Sequence, residues 1–209
     1  MTLKIAYFQP MTLAIDHVPP VEFSKIYALA ENLHQHPELN DNNNNPFISI
    51  RGGQQIQVYP NQLGIDVGWL ITWLESICKG YMEIVSQQSG TTELKLCRPK
   101  IVSAWTIRQF EGDYQEMHSH PAGHLSGNIY ISAPEFSDNR LSSDGQIAFK
   151  LPHVKDVSKF IMNDVWKYDP TPGTVILFPS HLPHTVYPWK GVGHRTVLAF
   201  DAILVPKDQ

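Results

Sequence analysis

The second half of the chain alternates short apolar runs with turn residues. Residues 101–110, 125–132, 146–149, 174–178 and 195–200 each predict a strand, and the intervening glycines, prolines and polar clusters predict the turns. Too few helical stretches intervene for a parallel βαβ protein, so the pattern points to an antiparallel sandwich or barrel. The first half has a different texture. Residues 1–15 predict an opening strand interrupted at Pro10. Residues 21–33, behind Pro19 and Pro20, carry apolar side chains at helical intervals and predict an amphipathic helix lying on the β core. A second helix is expected over residues 69–78 with a stop at Lys79–Gly80, and a short strand over 93–97. Residues 47–59 hold two alternating stretches around Gly52–Gly53, readable as a hairpin or as an irregular loop near a substrate. The asparagine-rich tract 39–45 lacks core-forming residues and reads as a mobile surface loop.

Composition narrows the function classes. Sixteen Lys plus Arg against twenty Asp plus Glu leave a formal charge of -4 with no basic block, which argues against a phosphate-tracking nucleic-acid surface. The two cysteines, Cys78 and Cys97, read as free thiols of a reducing cytoplasmic compartment rather than a disulfide scaffold. No secretory leader or membrane span is legible. A length of 209 residues suits one domain, with residues 1–100 as helical support and variable loops and 101–209 as most of the β core.

The candidate chemistry lies in the histidines. His118 and His120 stand two apart on an expected strand, so their rings project to one face, while His184 follows the strand 174–178 and a proline-bounded turn. Three imidazoles suit Fe(II), Zn, Ni or Cu, whereas Mg or Ca would call for oxygen ligands. Glu116 shares the parity of His118 but reads as a sheet-margin residue. His34 and His36 fall at a helix end, where they serve terminal carbonyls rather than a metal. His124, His153 and His181 have loop or packing roles, His181 being the one near enough in sequence to tune His184.

Two stretches carry a family resemblance. The first contains Gly112, Asp113, His118, His120, Pro121, Leu125, Ser126, Gly127, Tyr130 and Pro134; the second runs from Gly173 through Leu177–Ser180 and His184 to Arg195. Together they resemble the 2-oxoglutarate- and Fe(II)-dependent oxygenases, specifically a bacterial and phage subgroup that writes His-x-His. The resemblance implies a mainly β, double-stranded β-helix core, jelly-roll or cupin-like, with supporting N-terminal helices. It implies Fe(II) held by His118, His120 and His184, 2-oxoglutarate as cosubstrate and O2 as oxidant. The wider family has His-x-Asp, so here an imidazole replaces a carboxylate ligand. Arg195 matches the basic residue that grips the distal carboxylate of 2-oxoglutarate, through a fork that lysine cannot reproduce. Val197 stands where many relatives have a hydroxyl, so another group must complete that pocket. Ser126, Asn128 and Tyr130 share one strand face and are expected to contact the cosubstrate if that face looks inward.

The implied reaction hydroxylates a C–H bond of a small molecule, amino acid or peptide side chain, releasing succinate and CO2. Residues 47–60 and 134–145 are the candidates for shaping the entrance. Two rival readings use the same scaffold. A cupin enzyme would explain Gly112, His118-x-His120 and the second motif, but lacks the expected glutamate and leaves Arg195 unexplained. A noncatalytic metal-binding module would keep the histidines without turnover. Homodimerisation is open on the sequence, because an amphipathic helix or edge strand is covered either within one chain or by a partner.

Overall fold

The computed structural model describes residues 12–41, 49–60, 64–151 and 165–207. The expectations for residues 1–11 and for most of the asparagine tract, together with His153, lie outside them. In chain order the elements are β1 (Ala14–His17), α1 (Pro20–Leu33), β2 (Ile50–Arg51), β3 (Gln54–Tyr59), α2 (Gly68–Ser89), β4 (Cys97–Gln109), β5 (Tyr114–His118), β6 (Leu125–Ser132) and β7 (Glu135–Phe136). There follow β8 (Ile147–Lys150), β9 (Val165–Tyr168), β10 (Thr174–Pro179), β11 (His184–Val186), β12 (Gly191–Val192) and β13 (Arg195–Pro206).

The strands form a six-stranded sheet in the order β1-β10-β6-β13-β4-β3, a five-stranded sheet in the order β2-β5-β11-β8-β9, and the small pair β12-β7. All their pairings are antiparallel. This is the expected double-stranded β-helix core. Period-two alternation assigns each face of the large sheet. Leu125, Ile129 and Ile131 of β6, Val175 and Leu177 of β10, and Leu198 and Phe200 of β13 pack in one cluster with Ile26, Ala30 and Leu33 of α1 and Leu70, Leu74 and Cys78 of α2. The helices therefore close that face. The alternate residues Tyr130, Ile176 and Phe178 join Ile147, Phe149 and Val186 of the smaller sheet, so a second core fills the space between the sheets.

Two sequence expectations are corrected, and the open reading of residues 47–59 is decided. The second helix runs through Lys79–Gly80 to Ser89 and stops at Gly90, whose φ of 69° is left-handed. The apolar stripe continues past Gly80 through Tyr81 and Met82, and burial of that stripe outweighs the modest cost of an interior glycine. The stretch Glu93–Leu96 is a 3-10 turn, and strand structure begins only at Cys97. Gly52–Gly53 is not a hairpin turn, because β2 pairs with β5 in one sheet while β3 pairs with β4 in the other. Both glycines have positive φ, and a Cβ on Gly52 would lie 1.9 Å from Asp113 Oδ1, so this sheet-to-sheet corner requires glycine. Both cysteines are free thiols, and burial pushes the Cys78 thiol up to about 12. Among the described residues no helix is long and apolar enough to cross a membrane.

Candidate active site

His118 ends β5 and His184 opens β11, and the two are directly paired across these antiparallel neighbours. Their ring centroids are 4.2 Å apart. His120 lies just past the strand, where its backbone N–H donates to Ser180 O at 2.8 Å, and its ring is 5.2 Å from each of the other two. The turn before His184 is pinned by Leu182, which is fully buried and donates its N–H to Pro179 O at 2.9 Å. One ring nitrogen from each histidine falls in a group whose members all lie within 4.8 Å of one another.

Hydrogen bonds orient the three rings alike. With the proton on Nδ1, His118 donates to Glu116 O (2.7 Å), His184 to Leu182 O (3.0 Å) and His120 to Asp201 Oδ1 (2.7 Å). That tautomer leaves each Nε2 as a lone-pair donor, the form a metal needs. Burial, the largest influence on both, pushes His118 down to about 4 and His184 well below its usual range. Both rings are neutral at physiological pH and need shed no proton before binding a cation. Phe178 and Phe149 pack on the His184 ring, with centroids at 4.9 and 5.6 Å.

A narrow slot runs inward from the histidines, lined by Trp105, Ile107, Gln109, Asn128, Tyr130, Val197 and Arg195 among others. Arg195 is 2 % exposed and forms no ion pair among the described residues. Its guanidinium donates to Gly145 O at 2.7 Å and to Gln109 Oε1, and stacks 4.8 Å from the Trp189 ring. Desolvation lowers its pKa from 12.5 to about 10. Next to it, Gln109 Nε2 is buried with no hydrogen-bond partner. Burial also raises the Tyr130 phenol well above its ordinary value, keeping it a donor. A buried guanidinium with no ion pair among the described residues and an idle amide donor beside it are the kind of donors that suit a carboxylate. A shallower cleft on the outer side is lined by Ser49, Gln55, Ser119 and Pro121 and shares Trp105, Gln115, His118 and His120 with the slot. His118 and His120 thus stand where the slot meets the open cleft, and His184 lines the slot but not the cleft.

The structure brings together His118, His120, His184, Arg195, Asn128 and Tyr130. It places Ser126 elsewhere: that hydroxyl is fully buried, is not on the slot wall, and bonds Asp201 Oδ1 (2.6 Å) and Ser180 Oγ (2.8 Å). Its face does look inward, but the neighbouring β13 carboxylate captures it. Glu116 is exposed and paired with Arg51 at 2.8 Å. His34 caps the end of α1 behind the sheet, with Nδ1 3.1 Å from Gln54 Oε1. His181 is exposed. Sequence reasoning missed Asp201 and Gln109. The signal was available, since Arg195, Val197, Ala199 and Asp201 share one parity of β13, as Trp105, Ile107 and Gln109 do on β4.

These features set a three-histidine site on a double-stranded β-helix. Residues 103–201, just under half of the chain, match the family model described as "Putative 2OG-Fe(II) oxygenase". Similar solved structures include a Pseudomonas putida prolyl-4-hydroxylase (15 % identity, TM-score 0.61, covering 91 % of this chain and 92 % of that one). Another is a Trichoplax adhaerens prolyl hydroxylase in complex with a hypoxia inducible factor peptide fragment (17 %, TM-score 0.58, 90 % and 83 %). A third is HygX from Streptomyces hygroscopicus with nickel and 2-oxoglutarate bound (11 %, TM-score 0.57, 95 % and 84 %). At these identities the likeness is one of fold. No curated protein matches the chain by sequence.

Proposed function

We propose that this chain, as one oxygenase domain, is a 2-oxoglutarate- and Fe(II)-dependent dioxygenase that hydroxylates a C–H bond in a small molecule or a peptide side chain. The observation that carries the reading is Arg195, a buried cation with no ion pair among the described residues, in the same slot as the imidazoles of His118, His120 and His184. His118, His120 and His184 hold the metal through Nε2. The fork of Arg195 holds the distal carboxylate of the cosubstrate, and Gln109 Nε2 supplies the further donor that Val197 does not. Asn128 and Tyr130 donate from the slot wall, while Ile107, Val197 and Ala199 give it apolar sides that exclude water.

Bound Fe(II), with 2-oxoglutarate and O2, supplies the oxidising power and yields succinate, CO2 and a hydroxylated product. The protein's own work is orientation. The slot would hold the cosubstrate, and the adjoining cleft, which shares His118 and His120 with it, would admit the substrate. No general acid–base pair is required. A cupin chemistry without 2-oxoglutarate would leave Arg195 without an anionic partner among the described residues and Gln109 Nε2 without an acceptor.

Anaerobic titration of the Fe(II)-loaded protein with 2-oxoglutarate tests the assignment. A visible metal-to-ligand charge-transfer absorption should appear with one-to-one stoichiometry and vanish in His118→Ala and His184→Ala. Metal bound without that absorption would transfer the reading to the cupin or noncatalytic class.

A further inference from the structure

We infer that Asp201 is a positioning residue for the metal, supplying from behind His120 the negative charge that the first coordination layer lacks. This inference rests on the three-histidine metal site proposed above. His118 and His184 donate their Nδ1–H to neutral backbone carbonyls, so their rings are ordinary neutral donors. His120 alone donates to a carboxylate, at 2.7 Å, with both side chains about nine-tenths buried. A carboxylate in that position fixes the tautomer, holds the ring plane and makes Nε2 a stronger donor.

Asp201 is built to stay there. It occupies the register shift of β13 against β4, where the strand departs from regular pairing, and it lies opposite Ser126 on β6. Ser126 Oγ donates to the same Oδ1 at 2.6 Å and also lies 2.8 Å from Ser180 Oγ. Ser180 in turn accepts the His120 backbone N–H, so one buried chain of hydrogen bonds fixes both the ring and the backbone of His120. Gly123 closes the arrangement: a Cβ there would stand 2.6 Å from Ser180 Oγ and 3.4 Å from Asp201 Cβ. Among the described residues no Lys or Arg pairs with Asp201, so its charge is directed to the histidine. The sequence thus keeps one carboxylate at the site while moving it one residue outward from the metal.

The test compares wild type with Asp201→Asn, which keeps shape and acceptor but removes charge, and with Asp201→Glu, which keeps charge. Co(II) affinity without 2-oxoglutarate is read first. Asp201→Asn should weaken it roughly 10- to 100-fold, with Asp201→Glu recovering part of the loss and metal-free melting temperatures unchanged. The Fe(II)–2-oxoglutarate absorption of Asp201→Asn should move to shorter wavelength, because a less negative surround holds the metal electrons more tightly. A structural filler would produce no such spectral shift. Affinity within threefold of wild type would overturn the inference. Should Asp201→Asn melt early without metal, wild-type Co(II) protein decides instead: the His120 Nδ1–H must give a slowly exchanging, paramagnetically shifted proton resonance, and its absence refutes the role. Wild-type Co(II) binding without any 2-oxoglutarate absorption would sink the cosubstrate reading and leave the Asp201 result standing.

Discussion

Arg195→Met separates a residue kept for stability from one kept for an anion. Burial lowers Arg195 from 12.5 to about 10, a cost to the charged form of about 3 kcal/mol. Replacing it by methionine removes that cost but leaves Gly145 O and Gln109 Oε1 without their donor, at about 1–3 kcal/mol each. The two effects nearly cancel, so the metal-loaded variant should fold with a stability within about 2 kcal/mol of wild type. Cosubstrate binding should respond very differently. In wild type saturated with Mn(II), 2-oxoglutarate at about a hundredfold its Kd adds about 2.7 kcal/mol, a rise of roughly 5–10 °C for a chain of this size. Losing a buried charged fork costs about 2–5 kcal/mol of binding, thirtyfold or more in Kd. At the same 2-oxoglutarate concentration the variant should therefore gain less than about 3 °C. Thermal melting with and without 2-oxoglutarate, Mn(II) present throughout, measures both quantities. An equal rise in the two proteins would refute the carboxylate role. A collapse of stability before any ligand is added would show that Arg195 is a structural cation.

Gly80→Ala should stabilise the fold by about 0.5–1 kcal/mol, since a Cβ there meets nothing within 4 Å inside helix α2; a lower urea midpoint would contradict this. Gly127→Ala should destabilise by about 1–3 kcal/mol, because its Cβ would lie 2.3 Å from Phe200 Cζ and 2.9 Å from Leu177 Cδ2 between β13 and β10; an unchanged midpoint would show that the core yields freely. Burial pushes His34 and His118 each from 6.5 down to about 4, so between those pH values the unfolded chain takes up protons that the folded chain refuses. Metal-free stability should thus be full above pH 6.5 and fall toward pH 4, by up to about 3 kcal/mol for buried His34 alone; a flat melting profile across that range would be inconsistent with both shifts.

The strands of the β core were legible because their apolar positions alternate and each face has one destination, helix or opposing sheet. The same alternation put His118 and His120 on one side and Asn128 and Tyr130 on the barrel side. What sequence could not carry was competition among partners. Ser126 has the parity of a slot residue, yet Asp201 on the paired strand captures its hydroxyl. Gly52–Gly53 carries a hairpin signal, yet its flanking strands join different sheets, a long-range choice invisible locally. Gly80 reads as a helix stop because local propensity does not include the buried stripe that continues through Tyr81 and Met82.

On the proposed assignment, the exchange of a ligating carboxylate for His120 follows a charge argument. A dry pocket tolerates a loaded site best when its formal charges cancel. The divalent metal and Arg195 bring three positive charges, and dianionic 2-oxoglutarate with one carboxylate brings three negative ones. In a His-x-Asp site that carboxylate touches the metal. Here the carboxylate hydrogen-bonded through His120 is Asp201, so the sum is the same with the charge one imidazole further out. The metal should be held less tightly than by a direct carboxylate, and its retention should depend on the Ser126–Asp201–His120 chain rather than on the three ligands alone.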